Sequence, residues 1–248
     1  MSGHSKWSQI KRQKGVNDVR RGALFTKLGR EMTVAARDGG GDPNSNFRLR
    51  LAIQKARESN MPADTIDRAI KRGTGGGDGA VLEEITYEGY GSGGTAILVD
   101  AMTDNRNRAA AEIRAAFTKY GGSLGESGCV SWLFDSKGVI AVDVGKQDPD
   151  ELALIAIDAG AEDVNVEDGS VEIYTEPAEL EKVRRTLEAS KVAIVSAEVD
   201  MVPKTTVQLD SKGTISVMKL IERLEDLEDV QRVYSNIEVS EEALAQYS

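Results

Sequence analysis

GVIAVDVGKQDPDELALIAIDAGAEDVNVEDGSVEIYTEPAELEKVRRTLEASKVAIVSAEVDM, residues 138–201, is the stretch whose reading decides the fold. It reads as a strand over 139–144, a helix over 149–159, strands over 163–166 and 171–175, a helix over 178–189 and a strand over 193–200. The order β-α-β-β-α-β is the ferredoxin-like motif, which closes on itself as a two-layer α+β unit.

The flanks of this stretch are incomplete when taken singly. After Pro203 come a short strand (205–209), a helix (215–227) and a strand (230–237), too few strands to bury the helix. Before it, strands over 85–90 and 95–102 are joined by Gly91-Ser92-Gly93-Gly94, a hairpin signal. A helix over 106–119 follows, with Ile113, Ala116 and Phe117 on one face, and Gly121-Gly122 ends it. The two gaps are complementary. Residues 81–132 and 204–240 are expected to form one discontinuous α+β domain, with the ferredoxin-like domain, 133–203, inserted within it.

The N-terminal part reads as helical. From residue 20 to 37, Leu24, Phe25, Leu28, Met32 and Ala35 recur at helical spacing, with Lys27, Arg30 and Arg37 on the opposite face. Gly39-Gly40-Gly41-Asp42-Pro43-Asn44 stops this helix. A second helix, over 46–58, buries Leu49, Ala52, Ile53 and Ala56. A third begins near Pro62, a good first-turn residue, buries Ile66, Ala69 and Ile70, and ends at Gly73. The fold class expected is α+β multidomain: a basic three-helix domain over 1–75, a Gly-rich linker over 76–80, and two α+β domains, one ferredoxin-like and inserted in the other.

Charge follows position along the chain. Residues 1–72 hold sixteen Lys and Arg against seven Asp and Glu, a net of +9; the remaining fifteen basic and thirty-four acidic residues give −19. A basic segment in an otherwise acidic chain points to a polyanion, and the usual polyanion is nucleic acid. A phosphate backbone is held by several cations on one surface, each releasing counterions. The candidate contacts are Lys6, Trp7, Lys11, Arg12, Lys14, Arg20, Arg21, Lys27, Arg30, Arg48, Arg50, Lys55, Arg57, Lys71 and Arg72. Lys71 and Arg72 sit in a last helical turn, where the dipole favours cations. Trp7 either stacks on a base or packs into the core.

Composition narrows the chemistry. Forty per cent hydrophobic and 29 per cent charged residues describe a globular chain, and 5 per cent aromatics leave its cores mostly aliphatic. The only cysteine is Cys129 and the only histidine His4. An intrachain disulfide is therefore impossible, and zinc sites of four cysteines, paired Cys and His, or three histidines are excluded within one chain. So is a His-dependent triad away from the N-terminus. Cys129 reads as a small buried hydrophobe. No run approaches a membrane span, and the N-terminus lacks a secretory core. No cofactor, metal, small-molecule substrate or membrane is expected, and a monomer is favoured.

Three motifs have rival readings. Gly89-Tyr90-Gly91-Ser92-Gly93-Gly94 carries a G-x-G-x-G pattern but lies between strands rather than opening a helix, so the hairpin reading is preferred to a phosphate loop. Gly121-Gly122-Ser123-Leu124-Gly125-Glu126-Ser127-Gly128 lacks the Lys of a nucleotide loop and is either a flexible surface loop or a stretch that another backbone approaches closely. Thr103-Asp104-Asn105-Arg106-Asn107-Arg108 lies at a strand-to-helix junction. It is read as a helix cap on Asp104 or Asn105, with Arg106 and Arg108 as a candidate second phosphate or protein contact.

Gly3-His4-Ser5-Lys6-Trp7, Phe25-Thr26-Lys27-Leu28, Asn60-Met61-Pro62, Arg68-Ala69-Ile70-Lys71-Arg72-Gly73, Tyr87-Glu88-Gly89-Tyr90-Gly91, the 103–108 motif and Gly121–Gly125 together resemble the YebC family of regulatory proteins, in order over essentially the whole chain. Ser8-Gln9 and Arg12-Gln13 depart from the family's commoner Ala-Asn and His-Arg. The resemblance implies a helical domain and two α+β domains, and no enzymatic activity. It implies a transcriptional regulator that binds promoter DNA; other members, with mitochondrial relatives, resemble translation factors acting on ribosomes and ribosomal RNA, including at proline-rich stalls. Mitochondrial members carry a transit extension before Gly-His-Ser-Lys-Trp; here the motif starts at residue 3, so a bacterial cytoplasmic protein is expected.

Overall fold

The computed structural model describes residues 18–75, 81–145, 147–167, 170–240 and 243. Among these residues lie seven α-helices and ten strands. They fall into two compact units, one of Trp132–Thr206, the other of the described residues up to Ser131 and from Val207 on.

Unit one is the ferredoxin-like fold. Strands β4 (Phe134–Asp143), β5 (Asp163–Glu167), β6 (Ser170–Thr175) and β7 (Ala193–Pro203) form a sheet in the order β5-β6-β4-β7, every neighbour antiparallel. Ile140 pairs with Ile173 on one side and Ala197 on the other. Helices α5 (Pro149–Ala159) and α6 (Leu180–Ala189) bury Leu152, Ala156, Leu180, Val183 and Leu187 against Ile140, Val142, Val171 and Ile173. Strand β4 starts five residues before its expected beginning. The polar run Asp135-Ser136-Lys137-Gly138 hides its first half, which the pairing of Phe134 with Pro203 secures.

The second unit contains the discontinuous domain. Strands β1 (Glu83–Tyr90), β2 (Ala96–Thr103), β3 (Ser123–Leu124) and β9 (Val230–Ser235) form a sheet in the order β3-β1-β2-β9. Helices α4 (Arg106–Lys119) and α7 (Ser211–Glu225) cover it. Ile97, Val99, Ile113, Phe117, Met218 and Leu220 lie in the shared core, each at most 1 % exposed. Burial of each such side chain is worth roughly 1.5–3 kcal/mol. The β1–β2 turn uses Gly93 at φ 65° and Gly94 at φ 77°, left-handed values that glycine adopts without a Cβ clash.

Of the two readings of the stretch after Gly121 the second is realised, and two other details differ from expectation. The 121–125 stretch is met by another backbone: Ser123–Leu124 pairs with Gly89–Tyr90. Helix α7 starts four residues early, because Asp210 accepts from the Gly213 amide at 2.7 Å and caps it; Gly213 weakens the local helical pattern without ending it. The strand expected over 230–237 breaks at Asn236, whose side-chain oxygen accepts from the Ala96 amide at 2.8 Å. Beyond it, β10 (Ile237–Glu238) runs parallel to β8 (Val207–Gln208).

Helices α1 (Asp18–Gly39), α2 (Phe47–Glu58) and α3 (Ala63–Gly73) precede this domain. Leu28, Met32, Leu49, Ile53, Ala56 and Ile66 form their common core. Pro62 stands at the N-cap, one residue ahead of the first turn, with an extended ψ of 140°. Asn46 ties α1 to α2: its Oδ1 accepts from the Leu49 amide, and its Nδ2 donates to the carbonyls of Ala35 and Gly40.

Candidate nucleic-acid interface

The face of α1 opposite its apolar stripe is not fully solvated. Residues 32–36 are all buried, because α1 packs on α2 and α3 on one side and meets the segment after α7 on the other. Lys27 Nζ donates to the Glu225 carbonyl at 2.5 Å, at the C-terminal end of α7, where a cation complements the helix dipole. The Arg30 guanidinium donates to the carbonyls of Met102 (3.1 Å) and Glu228 (2.9 Å) and to the carboxylates of Asp229 and Glu228, each at 2.6 Å.

Other predicted cations are also engaged by protein acceptors. Arg48 bonds Glu31 at 2.7 Å and both Glu84 oxygens at 2.9 and 3.1 Å. Arg50 donates to the carbonyls of Pro43 and Asn44 and lies 5.4 Å from the Phe47 ring centroid. Arg108 donates to Asp104 and Asp229, and Arg106 sits 3.7 Å from Glu83. Asn105 is the cap of α4, its side chain accepting from the Arg108 amide at 3.1 Å. The 103–108 motif thus works as a cap and a clamp: Thr103 Oγ1 accepts from the Asn105 amide and donates to Asp229.

A second set of cations faces solvent. Arg57 ends α2, and Lys71 and Arg72 end α3; all three are exposed, and among the described residues they carry no hydrogen bond or ion pair. Arg21 and Lys55 are exposed too. Arg68, which charge alone did not single out, lies one turn before Arg72 on α3; it is exposed and, among the described residues, donates to the Asp64 carbonyl and Thr65 hydroxyl. Its i, i+4 spacing from Arg72 is the signal that places the two in one row. Lys6, Trp7, Lys11, Arg12, Lys14 and the linker 76–80 lie outside the described residues, as does the Arg20 side chain.

Between α2 and α3 runs an open groove of about 320 Å³. Ile53, Ile66, Ile70 and Pro43 give it an apolar floor; Arg57, Asp67 and Lys71 stand around it. Asp67 and Lys71 are four apart on α3 and so share a face.

Two buried carboxylates hold the frame together. Glu88 accepts the amides of Gly128 (2.6 Å), Val130 (2.8 Å) and Ser131 (2.8 Å). Burial pushes its pKa up, but these three bonds outweigh burial and hold it below the usual carboxylate range. Asp229 is 2 % exposed. Burial raises its pKa as well, and the bonds from Arg108, Thr103 and Arg30 bring it below the usual range. Cys129 lies beside this loop, its thiol pushed up by burial and by the Glu88 charge. Among the described residues no group of three His, Cys, Asp or Glu side chains is placed to hold a metal ion, and no helix is long and apolar enough to cross a membrane.

Comparison with known proteins agrees with this architecture. A probable transcriptional regulatory protein of Roseiflexus castenholzii is 58% identical over 252 residues, covering 100% of this chain and 99% of that one. One from Dehalococcoides mccartyi is 55% identical over 247 residues, covering 100% and 98%. The crystal structure of a conserved hypothetical protein from Aquifex aeolicus superposes with a TM-score of 0.83 at 48% identity, over 90% of this chain and 93% of the other. The family pattern "TACO1/YebC protein N-terminal domain" matches residues 5–76, and "TACO1/YebC second and third domain" matches residues 82–237. The chain belongs to the TACO1/YebC family.

Proposed function

We propose that this chain is a non-enzymatic regulator that binds nucleic acid through its helical region, with promoter DNA as target and the phosphate backbone as the main contact. The observation that carries the reading is the trio Arg57, Lys71 and Arg72, exposed and unpaired among the described residues while neighbouring cations are held by protein acceptors. Unpaired cations have guanidinium and ammonium donors ready for phosphate oxygens. The net −19 of residues 73–248 repels the backbone and turns the basic end toward it. The names of the bacterial relatives are in keeping with a regulatory role. Phosphate contacts carry no sequence information, so weak sequence preference and strong salt dependence are expected. The test is fluorescence anisotropy of the full chain on duplex DNA between 50 and 200 mM salt. Three phosphate contacts lose about fortyfold in affinity over that range; an affinity that stays constant contradicts the reading.

A second reading, a translation factor on ribosomal RNA, draws on the apolar groove between α2 and α3. Unpaired RNA bases are splayed out and available to such a surface, whereas duplex bases stay stacked. Co-sedimentation with ribosomes that survives DNase and is lost with RNase supports it; a protein remaining at the top of the gradient counts against it.

A further inference from the structure

We propose that the groove between α2 and α3 is a binding site for a single unpaired nucleotide, with its base on the isoleucine floor and its phosphates on Arg57 and Lys71. The inference rests on the reading of the helical region as a phosphate-binding surface and adds the base to it.

Three features converge on this groove. Its floor is apolar: Ile53 and Ile66 reach it from the helical core, and Ile70 is half-buried beside them. Its rim carries two exposed cations from different helices, neither paired among the described residues. The same rim carries one exposed carboxylate, Asp67, a turn before Lys71.

A free phosphate has no use for the apolar floor and is repelled by Asp67. An apolar peptide side chain has no use for two unpaired cations. A nucleotide uses all three features. Its base face packs on apolar side chains, its flanking phosphates meet the cations, and an amino group of cytosine, adenine or guanine donates to the carboxylate.

Size and access select an unpaired nucleotide. About 320 Å³ is at the small end of ligand sites. In a duplex, stacked neighbours cover the base faces, so such a base must be extruded or already single-stranded. RNA loops and melted DNA supply the same chemistry, and ribose and deoxyribose strands tell them apart.

The experiment is anisotropy of the full chain at fixed salt with labelled eight-residue strands: oligo-rC, oligo-rU, oligo-dC and an abasic deoxyribose-phosphate strand of equal charge. The variant is Asp67→Ala, whose exposed position keeps the fold, as a melting curve verifies. Wild type is expected to bind oligo-rC and oligo-dC at least about tenfold tighter than the abasic strand, and oligo-rC several-fold tighter than oligo-rU. Asp67→Ala is expected to abolish the cytosine preference and to keep or raise affinity for the abasic strand, whose phosphates no longer meet a like charge. The ratio of oligo-rC to oligo-dC then identifies RNA or DNA as the preferred source.

Equal, salt-sensitive binding of all four strands overturns the base site and leaves the phosphate reading standing. A cytosine preference unchanged in Asp67→Ala also overturns the assignment to this groove. Failure of every strand and of duplex DNA to bind overturns both.

Discussion

The Arg30 guanidinium lies 2.6 Å from the Asp229 carboxylate, and that carboxylate is buried with Arg108 and Thr103 as its other partners. Arg30, from the basic segment, and Arg108, the candidate second contact, are therefore both part of the frame. Removing one partner of a buried pair leaves the other uncompensated. Asp229→Asn is expected to lower unfolding free energy by about 2–4 kcal/mol in urea titrations.

Two carboxylates together set an acid limit. Asp229 and Glu88 both titrate below the usual carboxylate range in the folded protein. Their contribution is complete above the unfolded value of about 4 and is lost as pH falls through the depressed folded values. Urea midpoints measured from pH 7 down to pH 2 should stay level to about pH 4 and then fall. In Asp229→Asn the fall should be shallower, since one of the two groups no longer titrates.

Glu88 serves three amides with two oxygens. Glu88→Gln replaces one acceptor with a donor and leaves at least one of the three N–H groups without a partner, at a cost of about 1–3 kcal/mol. Hydrogen exchange should localise the damage: the amides of Val130 and Ser131 lose protection before those of β2 do.

Much of this architecture is visible in residue patterns. The β-α-β-β-α-β order over 138–201, the apolar stripe of α2 and the cap and helical face of α4 all follow from local patterns. What periodicity does not carry is pairing at a distance. Asp229 closes the acidic run 222–229, which with Leu224 and Leu227 interleaved reads as the polar face of an amphipathic helix; only the fold brings Arg30 and Arg108 to it. Glu88 stands in a strand between Tyr87 and Gly89, and its partners lie some forty residues on. The same holds at the candidate interface. Charge counts Arg30, Arg48 and Arg57 alike, but tertiary contacts engage the first two with carboxylates and leave the third exposed.

Gly73 gives a test of close packing between α1 and α3. A Cβ there would run into the Thr33 carbonyl and lie 2.8 Å from the Ala36 Cβ. Gly→Ala in a helix ordinarily stabilises by about 0.5–1 kcal/mol. At Gly73 the sign should reverse, with a loss of about 1–3 kcal/mol from overpacking. Gly22, whose Cβ would meet nothing within 4 Å, should follow the ordinary rule. Thermal melts of Gly73→Ala and Gly22→Ala compare the two directly.

The central claim is that the solvent-facing cations at the ends of α2 and α3 grip phosphates. The salt dependence of duplex-DNA binding by wild type and by the triple variant Arg57→Gln/Lys71→Gln/Arg72→Gln tests it most directly. Stability should change by less than about 0.5 kcal/mol per site, as for other surface positions. The slope of log affinity against log salt should become shallower by about 2 to 3, with a clear loss of affinity at 50 mM salt. A variant that binds as tightly as wild type, with the same slope, would contradict the account.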